Sequence, residues 1–426
     1  MVSPSLNKHH KIVTCIARRL VQAMKLKSAD AQNIIFAALL HDIGIFSDEE
    51  RDRILTFEAQ GIDVNTHAHL GYELLRHFDP LAESAELIKH HHASYCDKGK
   101  SVPLGCYIIH LADRVAVLFD ESREVLEQVP EILVKIHKTE SVFHPDTLAA
   151  FARLTEREYF WIEAASSLSY QQALGSMQLS QEVIDLETLR SFAGIVSQII
   201  DFRSSFTATH SKGVAAVAKQ LAGLSGFSSN ECAMLEIAGL LHDLGKLAVP
   251  NEILEKNGSL SEEEFNIIRK HTYYTYTILN KMSGFKQLAR WAAFHHERID
   301  GSGYPFHVPG NEFCKLSRIM AVADVVTALT EDRPYRRGMS REKTESVLWQ
   351  MANEEKLDAD IVKLAIEHFS FVNVIRAGAQ LEAKREYEAL SSLIDEKRKA
   401  PQETTLSLVQ VPLKQQLAKN EAFTLA

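Results

Sequence analysis

The sequence predicts an all-helical (all-α) protein: two tandem helical domains of one kind, joined by a helical linker and followed by a C-terminal tail. Three observations carry this. Segments such as Asn33–Leu40, Glu231–Leu241 and Glu264–Leu279 place apolar residues at three- and four-residue spacing, the period of a helix with one buried face. Alternating β-branched runs, the mark of a strand, are scarce outside a short stretch at Leu406–Val411. The third observation is a long-range internal repeat.

The repeat starts from two near-identical stretches, LLHDIG with His41-Asp42 and LLHDLG with His242-Asp243. His9 precedes His41 by 32 residues, and His210 precedes His242 by the same 32. Val13, Ile16 and Leu20 follow His9 at the offsets at which Val214, Val217 and Leu221 follow His210. Downstream, His67 is followed 24 and 25 residues later by His91 and His92, and His271 by His295 and His296 at the same spacing. An aspartate closes each set, Asp113 in LADRV and Asp324 in VADVV. Ten of the 19 histidines therefore occupy matched positions. The halves read as residues 1–175 and 195–375, with 376–426 a charged amphipathic helix and tail. Gly301–Pro309, dense in glycine and proline, reads as a loop between helices.

With 426 residues, 46% of them apolar, the chain has material for two or three cores. A formal net charge of −9 argues against DNA or RNA polymers and anionic membranes as partners, both of which demand a basic face. No apolar run reaches the ~18 residues of a membrane span, and the first residues are not those of a signal peptide. Five scattered cysteines without a CxxC pair fit a reduced, cytoplasmic setting rather than a disulfide framework or thiolate zinc site.

The matched residues are imidazoles and carboxylates, the donors that suit Zn, Fe, Mn or Co. A single His-Asp pair at a helix end is ordinarily a cap or a hydrogen-bonded core pair. Five histidines and two aspartates at ordered spacing, twice over, exceed that explanation and exceed the needs of one ion. Two ions sharing a carboxylate are a usual device for in-line attack on a phosphodiester. The second copy adds groups for an anion. Lys246 stands within a turn of His242-Asp243, where the first copy has Ile45. Tyr304 lies in the loop after His295-His296-Glu297, and Arg333-Pro334-Tyr335-Arg336-Arg337 follows Asp324. Guanidinium groups there suit bidentate phosphate contact or base stacking.

His242-Asp243 with Lys246, His295-His296-Glu297, Asp300-Gly301 and Gly303-Tyr304-Pro305 resemble the HD-GYP family of the HD phosphohydrolase superfamily, over residues 195–375. The resemblance implies a metal cluster between helices that opens cyclic dinucleotide second messengers, chiefly cyclic di-GMP, to the linear 5′-phosphorylated form. Carried over, the metal ligands are His210, His242, Asp243, His271, His295, His296 and Asp324. Asp243 bridges two divalent ions, Fe or Mn, and is catalytic together with Lys246. Lys246, Tyr304, Arg333 and Arg336 contact the substrate. Lys246 and a water remain alternative proton donors to the departing 3′-oxygen.

Some members place a glutamate four residues before the first ligand and bind three metals; Phe206 stands there, so two ions are expected. Thr327 replaces a frequent aspartate, and Thr272 and Thr275 replace the usual proline and glycine after His271. The first copy resembles a plain HD domain, with His9, His41, Asp42, His67, His91, His92 and Asp113 but no GYP segment. It is expected to be regulatory or structural, providing a homodimer or partner surface. The rival functions are a receptor that binds the nucleotide without cleaving it, and an HD phosphohydrolase acting on a dNTP or an alarmone. The preferred cyclic dinucleotide, cyclic di-GMP or the hybrid cyclic GMP–AMP, is not legible in these residues.

Overall fold

The computed structural model describes residues 4–46, 65–98, 102–175, 184–202, 209–256, 258–310, 312–332 and 337–399, and every regular element among them is a helix. The Leu406–Val411 stretch and the tail around it lie outside the described residues, as do Phe206, Arg333 and Arg336.

Repeat register becomes helix register. The N-terminal copy opens with α1 (Pro4–Ala23) and α2 (Ser28–Leu40). It continues through α3 (Asn65–Leu75), α4 (Ala82–Lys89), α5 (Tyr95–Lys98) and α6 (Leu104–Ala116), with α7 (Val125–Lys138), α8 (Pro145–Thr155), α9 (Glu158–Ala165) and α10 (Ser167–Gly175) behind them. After α11 (Leu186–Phe202), the second copy reuses the pattern in α12 (His210–Leu224) and α13 (Ser229–Leu241). A short α14 (Asn251–Leu254) and α15 (Glu262–Ile268) precede α16 (Lys270–Leu279), α17 (Lys286–Ala293) and α18 (Lys315–Thr330). Helices α2 and α13 begin and end at equivalent residues, 201 positions apart. Ser228 and Glu231 form a reciprocal capping box at the start of α13, satisfying two orphan amides; the first copy has Lys27 there and no side-chain cap.

Each copy has its own core. Ile12, Val13, Ile16 and Leu20 on α1 pack with Ile34, Leu75, Ile88 and Ile109; Val214, Val217 and Leu221 on α12 pack with Leu235, Leu241, Ile319 and Val322. The linker is helical, as expected, and serves both cores. On α11, Ala193 and Val196 join the second core while Ile195 and Ile199 lie against the first.

The final helices are α19 (Arg341–Asn353), α20 (Ala359–Glu367) and α21 (Phe369–Lys399). Helix α21 runs through position 375, so the charged segment continues the second domain instead of starting a new unit. Arg376, Gln380 and Ala383 are buried, α21 packs along α12, and Lys212 on α12 reaches Glu386 at 2.6 Å. No helix among the described residues is long and apolar enough to cross a membrane.

Candidate metal centres

The second-copy site is assembled at helix ends. Helix α13 stops at Leu241, His242 caps it, and the chain turns tightly through Leu244–Ala248. Gly245 lets this turn touch α16, because a Cβ there would fall 1.8 Å from the His271 carbonyl oxygen. Gly44 repeats the device against His67, where a Cβ would fall 2.2 Å from the carbonyl oxygen. Thr275 fastens the same contact: its buried hydroxyl accepts from the Gly245 amide at 2.9 Å and donates to the His242 carbonyl at 3.0 Å.

The imidazoles are aimed by backbone carbonyls. His242, His271 and His295 each donate Nδ1–H to the carbonyl three residues earlier (Gly239, Ile268 and Ala292), at 2.7 Å in every case. Those bonds set the ring orientations and turn each Nε2 toward the centre. The His271 and His295 Nε2 atoms lie 3.3 Å apart. Burial lowers both pKa values, His271 to about 3, so no proton separates them near neutral pH. Two converging buried lone pairs are a donor set that fits a cation.

Two trios result. The ligand atoms of His271, His295 and His296 lie within 4.8 Å of one another, and those of His210, His242 and Asp324 do likewise. Asp243 stands between the trios, with Oδ2 3.2 Å from His242 Nε2 and Oδ1 3.4 Å from His271 Nε2. Burial pushes its carboxyl up, but His242 and Lys246 outweigh that and hold it well below the usual range. All seven residues named as ligands from the sequence are thus brought together, in an arrangement able to hold two ions.

Lys246 reaches Asp243 Oδ2 at 2.6 Å, with its side chain 20% exposed at the rim. The rim is open at His296, whose side chain is 32% exposed. Tyr304 covers that edge, its ring 4.9 Å from His296 and under the Arg269 guanidinium at 5.1 Å. The loop bearing Tyr304 is pinned by buried Glu297, whose carboxylate accepts from the amides of Phe306 at 2.8 Å and Val308 at 3.1 Å.

Sequence reasoning missed Glu331. This buried carboxylate accepts from His210 Nδ1 at 3.1 Å and from Gln380 on α21 at 3.0 Å, while His210 Nε2 faces Asp324 at 3.1 Å. Burial disfavours a charged His210, yet Glu331 and Asp324 raise its pKa to about 10. The only available signal was a glutamate seven residues after Asp324, and the first copy has exposed Asp120 there. Arg269 and the anchoring role of Glu297 were also missed.

The N-terminal residues converge in the same way. The ligand atoms of His67, His91 and His92 lie within 4.8 Å of one another, as do those of His9, His41 and Asp113. Asp42 again stands between, 3.1 Å from His41 Nε2 and 3.3 Å from His67 Nε2.

Tandem all-helical domains, each with a His-Asp turn between ligand-bearing helices, define the class: a double HD-domain protein. HD domain models match residues 7–118 and 194–361. The chain is 30% identical over 380 residues, 85% of its length and 87% of the relative's, to 3′3′-cGAMP-specific phosphodiesterase 1 of Vibrio cholerae. It is 37% identical over 172 residues, 40% of its length and 44% of the relative's, to the cyclic di-GMP phosphodiesterase response regulator RpfG of Xanthomonas campestris. A crystal structure of the Vibrio cholerae cyclic GMP–AMP-specific phosphodiesterase V-cGAP3 shares the fold, with a TM-score of 0.59 at 24% identity over 85% of this chain and 92% of that one. The chain belongs to the HD-GYP family of HD-domain proteins.

Proposed function

We propose that this protein hydrolyses a cyclic purine dinucleotide to its linear 5′-phosphorylated form in the C-terminal copy, using two divalent ions, Fe or Mn. The observation carrying this is the pair of trios around Asp243, with an ammonium and an aromatic ring on the open side. His210, His242 and Asp324 would hold one ion, His271, His295 and His296 the other, and Asp243 both. Bound there, the ions supply Lewis acidity to the phosphodiester and a nucleophile at neutral pH.

The chain's own groups position the substrate. Lys246, kept protonated by Asp243 against the opposing effect of burial, holds a phosphoryl oxygen as charge develops on it. Tyr304, backed by Arg269, offers a face to a base, and Arg333 and Arg336 complete the grip on phosphate or base. Hydrolysis adds water across one phosphodiester: a new P–O bond forms, the bond to the 3′-oxygen breaks, and that oxygen takes a proton.

The hybrid GMP–AMP ring is the preferred substrate in this reading. The cGAMP-specific relative aligns over 380 residues, enough to span both copies, whereas the Xanthomonas cyclic di-GMP enzyme aligns over 172, no more than the length of one. Purified protein is incubated with Mn(II) and a panel of cyclic dinucleotides, and the products are resolved chromatographically. The hybrid ring is expected to be linearised fastest, and Asp243→Ala to lose both C-terminal metal and turnover. Nucleotide that stays cyclic in metal-loaded protein, or hydrolysis retained by Asp243→Ala, overturns the proposal.

A further inference from the structure

Three consecutive residues open α12, and each is held by a different anchor. His210 is backed by Glu331 and, through it, by Gln380 on α21. Lys212 pairs with Glu386 on α21, which also accepts from Gln198 on the linker helix α11. Between them, Ser211 donates its hydroxyl to Asp201 Oδ1 on α11 at 2.9 Å, and both residues are buried. Thr209 gives the start of α12 no side-chain cap, so its first turn depends on these lateral ties. In the first copy the residue equivalent to Ser211 is His10, which meets Asp42 instead, at 3.2 Å.

Asp201 is itself set from two sides. Beside it, at the end of α11, the Phe202 ring lies 4.9 Å from Phe46 of the N-terminal copy and 4.6 Å from Tyr387 on α21, tilted by 30° and 32°. Ring pairs at these separations are directional as well as apolar. Phe46 follows Asp42 by four residues, so the stack runs from the His-Asp turn of the first copy to the helix that carries Asp201. Burial raises the Asp201 carboxyl to about 7 while the Ser211 bond opposes the rise, and Asp243 and Lys246 are close enough to act on it.

We infer that Asp201 is a positioning residue for the C-terminal site: by holding Ser211 it sets how α12 is turned and where His210 points, and the Phe46–Phe202–Tyr387 stack holds Asp201 in turn. The inference rests on His210 being a ligand, as proposed above. Adjacent helical residues point about 100° apart, so a bond on Ser211 fixes the direction in which His210 faces. The Ser211 hydroxyl needs only an acceptor, and an amide oxygen at position 201 supplies one as well as a carboxylate does.

The test uses the full chain, with Mn(II) affinity titrated by electron paramagnetic resonance and turnover measured on the hybrid GMP–AMP ring. Asp201→Ala and Ser211→Ala are each expected to weaken Mn(II) binding and to lower kcat by about ten-fold, with KM within about two-fold of wild type. Asp201→Asn, which keeps the acceptor, should restore both. The double variant should lose no more than either single one, because the two residues share one bond. Phe202→Leu should show a smaller loss in the same direction, absent when Ser211 is already alanine. Ser211→Ala with wild-type Mn(II) affinity and kcat overturns the inference, and this variant decides where Asp201→Ala does not fold. Asp201→Asn as impaired as Asp201→Ala also overturns it, since the residue would then be needed for its charge or proton. Additive losses for Phe202→Leu and Ser211→Ala overturn the part played by the ring stack. Wild-type protein that leaves the nucleotide cyclic removes the phosphodiesterase reading alone, and the Mn(II) affinities then decide this one.

Discussion

Replacing Thr275 by valine deletes one hydroxyl at nearly constant volume, and the structure states what that hydroxyl does. It bridges the Gly245 amide and the His242 carbonyl, joining α16 to the turn that carries His242, Asp243 and Lys246. Both backbone groups are buried, and each would lose this partner at about 1–3 kcal/mol. About 3 kcal/mol for the pair is a conservative sum. At roughly 2–4 °C per kcal/mol for a domain of this size, the C-terminal transition should fall by ~6–12 °C. Thr275→Ser keeps the hydroxyl and loses a methyl group, so its loss should stay near 1 kcal/mol. Differential scanning of EDTA-treated protein reads the stability, and turnover of metal-loaded protein reads the displacement of Asp243. A Thr275→Val transition within 2 °C of wild type refutes the reasoning, as does Thr275→Ser falling equally far, which would assign the effect to packing.

Three further outcomes follow from the same geometry. Burial opposes charge on His210, but Glu331 and Asp324 raise its pKa to about 10, so metal must displace its proton at neutral pH. Glu331→Gln lowers that pKa, and titration calorimetry in buffers of different ionisation enthalpy should show fewer protons released per metal bound; an unchanged number rules out the Glu331 contact as the cause. In metal-free protein, His210 and His41 sit at about 10 and about 9, the latter because Asp42 and Asp113 outweigh burial. Folded values above the unfolded ~6.5 mean stability that is complete below pH ~6.5 and lost as pH rises through both values. EDTA-treated protein should thus lose thermal stability from pH 7 to 10 relative to Mn(II)-loaded protein, and parallel profiles would count against it. Glu297→Gln turns an amide group toward the Phe306 or Val308 amide and loosens the Tyr304 loop; KM should rise several-fold with kcat little changed, and a loss confined to kcat would place Glu297 in the chemistry instead.

The all-helical class and the convergence of the ligand residues were legible because helical periodicity and the repeat are both patterns of spacing. A ligand repeated at one register in two copies stands out against 426 residues; a group used once does not. Glu331 lies in the charged run Glu331-Asp332-Arg333, which reads as solvated surface, and its burial depends on α21 arriving from nearly fifty residues away. Arg376 and Gln380 failed to announce themselves for the same reason: polar residues on a charged helix look exposed until the helix they cover is known. Thr275 was visible only as a departure from the family pattern. The hydrogen bonds that make it structural run to backbone atoms, which carry no sequence signal.

The differences between the copies fall between the ligand-bearing helices. From His9 to Asp42 the copies differ by a constant offset of 201; at His67 it becomes 204 and holds through His92; at Asp113 it becomes 211. Both steps fall between ligand-bearing helices, the first after the His-Asp turn and the second in the stretch that becomes the Tyr304 loop. An insertion inside a helix would rotate every later residue by about 100° and scatter the ligands. Connections absorb length at small entropic cost, so the cluster persists while its rim changes. The seven residues added at the second step carry the Glu297-anchored loop and Tyr304, and with them the open edge at His296. In the first copy that edge is closed and Arg114 lies on the carboxylate. One ligand scaffold thus carries an open rim in one copy and a closed rim in the other, and the difference arises in the stretch before the last aspartate.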